Sequence, residues 1–233
     1  MMNLRSLACR TDLIFPRYDG EITDRGHYLV VKTPDNPGFY FGNFLLFAQA
    51  PAAGDFPRWC SLFEKEFGAN PLIRHKTFLW DAIGDDPGEL QPFVDHGYDL
   101  EKSSVLTASS VRRPDKHWPD SHGNELTVRP LQGDADWSAV IENQIQCRQE
   151  HFEIEAYRGF KTKQMNRYRR MSEAGLGYWF GAFYQGRIVA DLGVYFDGTV
   201  ARFQSVETHP EFRRKGACGT LVHQASLYVL EKH

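Results

Sequence analysis

The sequence predicts a two-part protein of the α/β (α+β) class, and three observations predict it. Strand-like and helix-like runs interleave along both halves, as they do where sheets are covered by helices. A polar stretch, Arg112–Asn124, carries two prolines, a glycine and no periodicity, and so marks a boundary. Near the C-terminus three strand-like runs follow one another through Gln185-Gly186 and Asp197-Gly198, and tight turns of that chemistry build an antiparallel meander. The expected division of the 233 residues is an N-terminal α/β domain over 1–111, a linker over 112–124 and a C-terminal domain over 125–233.

In the first half, aromatic and β-branched runs at Tyr28–Thr33 and Phe39–Phe47 flank the cluster Pro34-Asp35-Asn36-Pro37-Gly38, a hairpin signal. Phe56, Trp59, Leu62, Phe63 and Phe67 fall at helical spacing over Asp55–Phe67, and Gly68 closes that helix. A strand over His75–Ala82, a short helix over Glu89–His96 and a strand over Tyr98–Ala108 complete the half. In the second half Glu125–Leu131 alternates as a strand does. Trp137, Val140, Ile141 and Ile145 predict a helix over Asp134–His151 with Asp134 as its N-cap. A very basic helix is expected over Phe160–Ala174, ended by Gly175, and then the meander Tyr178–Tyr184, Arg187–Phe196 and Thr199–Thr208.

Composition narrows the classes of function. Hydrophobic residues make up 42% and charged residues 24%, the balance of a globular chain with a real core. A formal net charge of -3 gives no broad field for nucleic acid or an anionic membrane, so a bound anion has to be held locally. The four cysteines, Cys9, Cys60, Cys147 and Cys218, form no C-x-x-C pair, which argues against zinc and against a disulfide scaffold. The N-terminus has no signal-peptide pattern, and no run of eighteen apolar residues occurs, so the expected location is the cytoplasm.

The chemistry concentrates in His209-Pro210-Glu211-Phe212-Arg213-Arg214-Lys215-Gly216-Ala217-Cys218-Gly219-Thr220. Pro210 ends the last strand of the meander because it has no N–H for a ladder. Gly216 and Gly219 let backbone approach a bulky ligand, and Leu221, Val222, Ala225, Tyr228 and Val229 then lie on one helical face. A basic, glycine-containing loop thus opens into a helix whose first amides lack intrahelical partners and whose dipole favours an anion. A pyrophosphate suits that arrangement. Read without this context, Arg213–Lys215 are a solvated turn.

The run resembles motif A of the GNAT (Gcn5-related N-acetyltransferase) family, Arg/Gln-x-x-Gly-x-Gly/Ala between a strand and a helix. Arg213 matches its first position and Gly216 its central glycine, while Cys218 stands where Gly or Ala is usual. The resemblance covers roughly the last 110 residues. It implies a mixed, mostly antiparallel central sheet flanked by helices, with acetyl-CoA as acyl donor and an amine as acceptor. Arg213, Arg214, Lys215, Gly216, Ala217, Cys218, Gly219 and Thr220 would hold the pyrophosphate, and Val206 and Thr208 would offer backbone groups to the pantetheine arm. A backbone N–H near Val206 would serve the oxyanion, and Glu207 is the candidate general base, with a solvent-facing strand residue as the alternative. His209 is expected to shape the strand exit. Glu150, His151, Glu153 and Glu155 lie where an acceptor would enter, or in a solvated loop. The family's thiolate-protonating tyrosine lies on a helix beyond the third, so the closing elements of the fold are expected to be missing after Glu231-Lys232-His233. Tyr228 belongs to the core face.

In the N-terminal half, Phe93–Asp99 is similar to a helix-to-strand passage near the end of such a domain, so residues 20–110 resemble a degenerate repeat without the phosphate loop. The expected activity is transfer of an acetyl group to an amine by direct attack in a ternary complex. The alternative is a non-catalytic module that binds or senses acyl-CoA. A different nucleotide fits less well, since no acidic ribose partner and no lysine–serine pair follows the glycines.

Overall fold

The structure, a computed structural model, describes residues 2–81, 84, 86–118 and 126–232. Ala82, Glu125 and residues 119–124 of the expected linker lie outside the described residues. The chain divides into two compact units, Met1–Leu106 and Thr107–His233, so residues 107–118 belong to the second.

The first unit runs α1 (Leu7–Asp12), α2 (Ile14–Asp19), β1 (Glu21–Asp24), β2 (Tyr28–Lys32), β3 (Phe44–Phe47), α3 (Asp55–Phe67), β4 (Phe78–Trp80) and α4 (Gln91–Asp95). Its sheet has the order β1-β2-β3-β4, antiparallel except for the β3/β4 pair, which α3 connects as a parallel crossover. Leu29, Val31, Phe44 and Leu46 face Cys9 and Leu13, while Tyr28, Val30, Leu45 and Phe47 face Trp59, Phe63, Phe67 and Phe93. A sheet covered on both faces accounts for strands that are apolar at every position. Buried Asn43 holds the β2–β3 connection: its Oδ1 accepts from the Thr33 amide at 3.0 Å and its Nδ2 donates to the carbonyls of Asn36 (3.1 Å) and Phe39 (3.0 Å).

Two expectations for this half change. Residues 39–43 hold a 3-10 turn at Tyr40–Gly42 rather than strand, because the Asn43 side-chain amide gathers the carbonyls of Asn36, Pro37 and Phe39. Residues 98–106 are not strand; only Tyr98 packs into the aromatic cluster, against Phe78 and Phe93. The helices α1 and α2 and strand β1 are too short to show a period in the sequence.

The second unit runs β5 (Thr127–Pro130), α5 (Gly133–Gln146), α6 (Ile154–Glu173), β6 (Gly177–Tyr184), β7 (Arg187–Asp197), β8 (Val200–Thr208), a 3-10 turn at Pro210–Phe212 and α7 (Ala217–Lys232). The sheet order β5-β6-β7-β8 is antiparallel throughout. This is the expected α/β architecture with its antiparallel meander. Gln185 (φ 50) and Gly186 (φ 77) give the β6–β7 hairpin two consecutive left-handed residues, the geometry that follows strand twist. On one face Phe180, Ala182, Ala190, Leu192 and Val194 pack under α7 through Leu221, Ala225 and Val229. On the other, Tyr168 of α6 stacks on Trp179 with ring centroids 5.0 Å apart.

Helix limits shift for local reasons. Asp134 does not cap α5, since Gln132 is the cap position and Asp136 accepts the Gln132 amide at 2.7 Å. The helix stops at Gln146 instead of His151, and α6 starts at Ile154 because Glu153 accepts the Ala156 amide at 2.8 Å as its N-cap. Gly175, at φ +75, ends α6 as expected.

The first unit depends on Trp59, which is 1% exposed and stacks on Phe47 with centroids 3.7 Å apart. Trp59→Ala is expected to destabilise this unit by about 3–5 kcal/mol, the usual loss for a fully buried aromatic. Equilibrium urea denaturation of the two proteins would measure it.

Candidate functional site

The loop between β8 and α7 has its shape set by backbone. After the 3-10 turn, Arg213 is extended (φ -61, ψ 150), Arg214 is left-handed (φ 63) and Gly216 lies at φ +93. A Cβ on Gly216 would stand 2.8 Å from the carbonyl carbon of His117, so glycine is required on steric and conformational grounds. The same segment braces the start of α7. Pro114 lies 3.2 Å from where a Gly219 Cβ would be, and the Trp118 amide donates to Thr220 Oγ1 at 2.9 Å. The stretch expected to be linker is thus, at 114–118, a wall of the loop.

In α7 the Thr220 amide donates to the Gly216 carbonyl at 3.0 Å, which places Ala217, Cys218 and Gly219 in the first turn, where no helical carbonyl reaches their amides. Ala217 is buried, Gly219 is half-buried and Cys218 is exposed. Arg214 and Lys215 are exposed beside them. Arg213 turns the other way: its Nε donates to the Thr208 carbonyl at 3.1 Å and ties the loop to the end of β8. His209 holds the strand exit, with its Nε2 accepting from Arg187 at 2.9 Å, and burial together with Arg187 lowers its pKa.

Strand β8 is the edge of its sheet, and among the described residues no strand pairs with its outer side. Its register slips: Asp191 faces Glu207 and Gly193 faces Gln204, so Ser205 and Val206 together oppose Leu192. This is a bulge, with Ser205 left-handed at φ 47 and Val206 38% exposed. A bulge withdraws one residue from the ladder and frees its backbone groups.

Beneath the bulge lies a polar cluster. Asp191, 0% exposed, accepts from Asn143 Nδ2 at 2.5 Å, Gln144 Nε2 at 2.6 Å and Trp179 Nε1 at 3.0 Å. Burial raises its pKa to about 7 against the pull of these donors. Cross-strand from it, half-buried Glu207 is also raised by burial, with Lys161, Arg213 and the Cys147 thiol acting in the opposite direction. Lys161 of α6 is buried; its Nζ donates to Gln164 Oε1 at 2.8 Å, and desolvation lowers its pKa. Burial and the Glu207 charge push the Cys147 thiol and the Tyr157 hydroxyl each up to about 12.

Glu207 therefore faces a protein-lined environment of α5 and α6, not open solvent. The Asp191 cluster was not expected, though a signal existed: Asp191 interrupts the apolar run Ile188–Val194, and a lone carboxylate there has to find donors. The basic helix divides. Lys161 and Arg167 are buried, Lys163 and Arg170 are exposed, and Arg169 pairs with Asp134 at 2.6 Å and Glu173 at 2.8 Å. Glu153 serves as a cap, Glu155 lies 3.8 Å from Arg158, and Glu150 and His151 are exposed. Tyr228 packs edge-on against Tyr178 and Phe180, as expected of a core residue.

No family model matches the sequence, and no curated protein matches it. Two solved structures follow almost the whole chain. One is a functionally unknown conserved protein from Staphylococcus epidermidis, 12% identical, with a TM-score of 0.60 over 92% of this chain and 80% of that one. The other is a GCN5-related N-acetyltransferase from Kribbella flavida, 14% identical, with a TM-score of 0.56 over 97% and 82%. The fold is that of a GCN5-related N-acetyltransferase. At these identities the likeness is one of fold, and the chemistry rests on the residues above. Among the described residues no helix is long and apolar enough to cross a membrane.

The buried carboxylate has a measurable signature. Because the folded pKa of Asp191 is about 7, above the ordinary 3.8, the native state keeps a proton that the unfolded chain has lost between those values. Stability contributed by this group is therefore full at low pH and lost as pH rises towards 7. Asp191→Asn should remove that slope, so the wild type should lose stability relative to the variant between about pH 4 and 7 in urea titrations.

Proposed function

We propose that the second unit is an N-acyltransferase that passes an acetyl group from acetyl-CoA to an amine by direct attack. The observation that carries this reading is the continuity of an open, bulged edge strand with a glycine-shaped loop and a helix N-terminus. The amides of Ala217, Cys218 and Gly219, with Arg214 and Lys215, offer charge and hydrogen bonds to a pyrophosphate. The outer edge of β8 at Val206 and Thr208, where the Thr208 carbonyl already accepts from Arg213, would offer its remaining backbone groups to a pantetheine arm. Acetyl-CoA would supply an activated thioester carbonyl. The Val206 amide, freed by the bulge, would hold the oxygen of that carbonyl as charge develops. Glu207, raised by burial, would take a proton from the neutral amine as it attacks. The nitrogen–carbon bond then forms, the carbon–sulfur bond breaks, and CoA leaves as thiolate.

Cys218 does not suit a covalent route, since it stands in the first turn of the helix that would face the pyrophosphate. The first unit, with helices before its own three-stranded meander and a helix after it, we read as a related unit without a phosphate loop.

Gly216 is a poor probe of this reading, because any side chain there strains the loop. Arg214→Gln is expected to weaken CoA binding about 5- to 10-fold by calorimetry, with the circular dichroism unchanged. Saturating CoA should slow alkylation of the exposed Cys218 thiol, followed by mass spectrometry. Unchanged labelling would mean that the anion site lies elsewhere.

Glu207→Gln should lower turnover of acetyl-CoA across an amine panel by about 100-fold while leaving CoA affinity in place. Tight CoA binding with no turnover of any amine by the wild type would assign the non-catalytic CoA-binding role instead.

A further inference from the structure

Gln144 sits at the buried end of α5 and is 1% exposed. Its side-chain amide has two N–H groups, and both are engaged. One donates to Asp191 Oδ1 at 2.6 Å and the other to the Ser205 carbonyl at 3.2 Å. The second contact is unusual in its target. Ser205 is the left-handed residue of the β8 bulge, so its carbonyl is not aligned with the ladder, and Gln144 supplies the partner that β7 does not.

A trans peptide unit is planar, with its C=O and N–H pointing in opposite directions. Fixing the Ser205 carbonyl on Gln144 therefore fixes the direction of the Val206 N–H, which shares that plane and points away from Gln144. Asp191 in turn fixes Gln144. Its Oδ1 accepts from both Gln144 and Trp179, the latter at 3.0 Å, and Oδ2 accepts from Asn143.

We propose that Gln144, held by Asp191, is a positioning residue that aims the Val206 amide at the carbonyl of a bound acyl thioester. The proposal rests on the acyl-transfer reading of this edge strand and adds to it the residues that orient its oxyanion donor. Neither Gln144 nor Asp191 touches the reacting atoms; each acts through one peptide plane.

The chemistry of the network supplies a control. Among the described residues Asn143 Oδ1 has no hydrogen-bond partner. An amide at position 191 can keep its oxygen towards Gln144 and Trp179 and donate its NH2 to Asn143, once the Asn143 amide turns over. Asp191→Asn should preserve the aim of Val206. Gln144→Met and Asp191→Leu have similar bulk to the residues they replace and break the chain of contacts at different links.

The experiment compares these three variants with the wild type. Steady-state turnover of acetyl-CoA with a reactive amine gives kcat and KM. The 15N-labelled backbone amide of Val206 gives its resonance with CoA and with acetyl-CoA. In the wild type, acetyl-CoA should shift that resonance further than CoA does, because only the thioester carries a carbonyl to accept from it. Gln144→Met and Asp191→Leu should lose the difference and lower kcat about 10- to 100-fold, with KM for acetyl-CoA within about 3-fold. Asp191→Asn should keep both within about 3-fold.

Retention of the resonance difference and of kcat in a folded Gln144→Met or Asp191→Leu protein overturns the proposal. So does a wild-type resonance that responds identically to the two ligands. A resonance difference present in the wild type and lost in the variants, without turnover in either, supports the positioning role and removes the catalytic reading.

Discussion

A carboxylate with no exposure to water governs the second unit. Asp191 lies in the middle of β7, where neighbouring side chains are apolar and where an unpaired charge would be too costly to keep. Its donors come from two directions, Asn143 and Gln144 on α5 and Trp179 on β6, so these elements must converge on one point of the sheet. Trp179 then presents its ring to Tyr168 of α6, and the Tyr195 hydroxyl donates to the Tyr168 carbonyl at 2.8 Å. The result is a sheet with two unlike faces. Under α7 it is wholly apolar, and under α5 and α6 it has a hydrogen-bonded polar centre.

The loop after β8 depends on a different constraint, one of space. Gly216 is held between its own left-handed backbone and the His117 carbonyl, and Trp118 inserts its ring between Tyr184 and Phe212 with centroids 5.0 Å and 6.4 Å away. The start of α7 is therefore supported from beneath by a segment about a hundred residues earlier in the chain. Support of this kind fixes the start of α7 against the segment 114–118. Arg213 contributes in the same sense, since its Nε donates to the Thr208 carbonyl and ties the loop to the strand end.

Much of this was legible in the residue order. The meander could be read because Gln-Gly and Asp-Gly turns have few alternatives, and the loop could be read because glycines, basic residues and a following helical stripe occur together. Helix α3 was placed to the residue by its aromatic spacing and Gly68. What escaped was set by contacts across the chain. Asn43 turns residues 39–43 out of a strand through carbonyls that no local pattern reveals. Residues 114–118 read as linker because proline and charge dominate them, yet Trp118 is buried by partners it meets only in three dimensions. Lys161 is one of several cations in the basic helix read from the sequence, and its burial follows from the turn of α6 that carries it towards Glu207 and Asp191. The bulge had no sequence mark at all, since Ser205 is an ordinary strand residue until Gln144 takes its carbonyl.

The two units make the same passage from a third meander strand into a helix, and comparing the two isolates what an anion needs. In the first unit residues 48–54 are Ala-Gln-Ala-Pro-Ala-Ala-Gly, with Gly54 left-handed at φ +85 at the N-cap of α3. Backbone freedom is therefore present, and the helix has its dipole. But Asp55 occupies the first turn, its carboxylate accepts the Ala52 amide at 2.9 Å, and Arg58 is taken up by the same acid at 2.6 Å. The positive end of that helix is thus satisfied by an acid of its own chain. In the second unit the first turn of α7 carries no acid, and two exposed cations stand next to it. Topology and a glycine are common to both passages. The difference lies in whether the first turn of the helix carries its own acid, as it does in α3 and does not in α7.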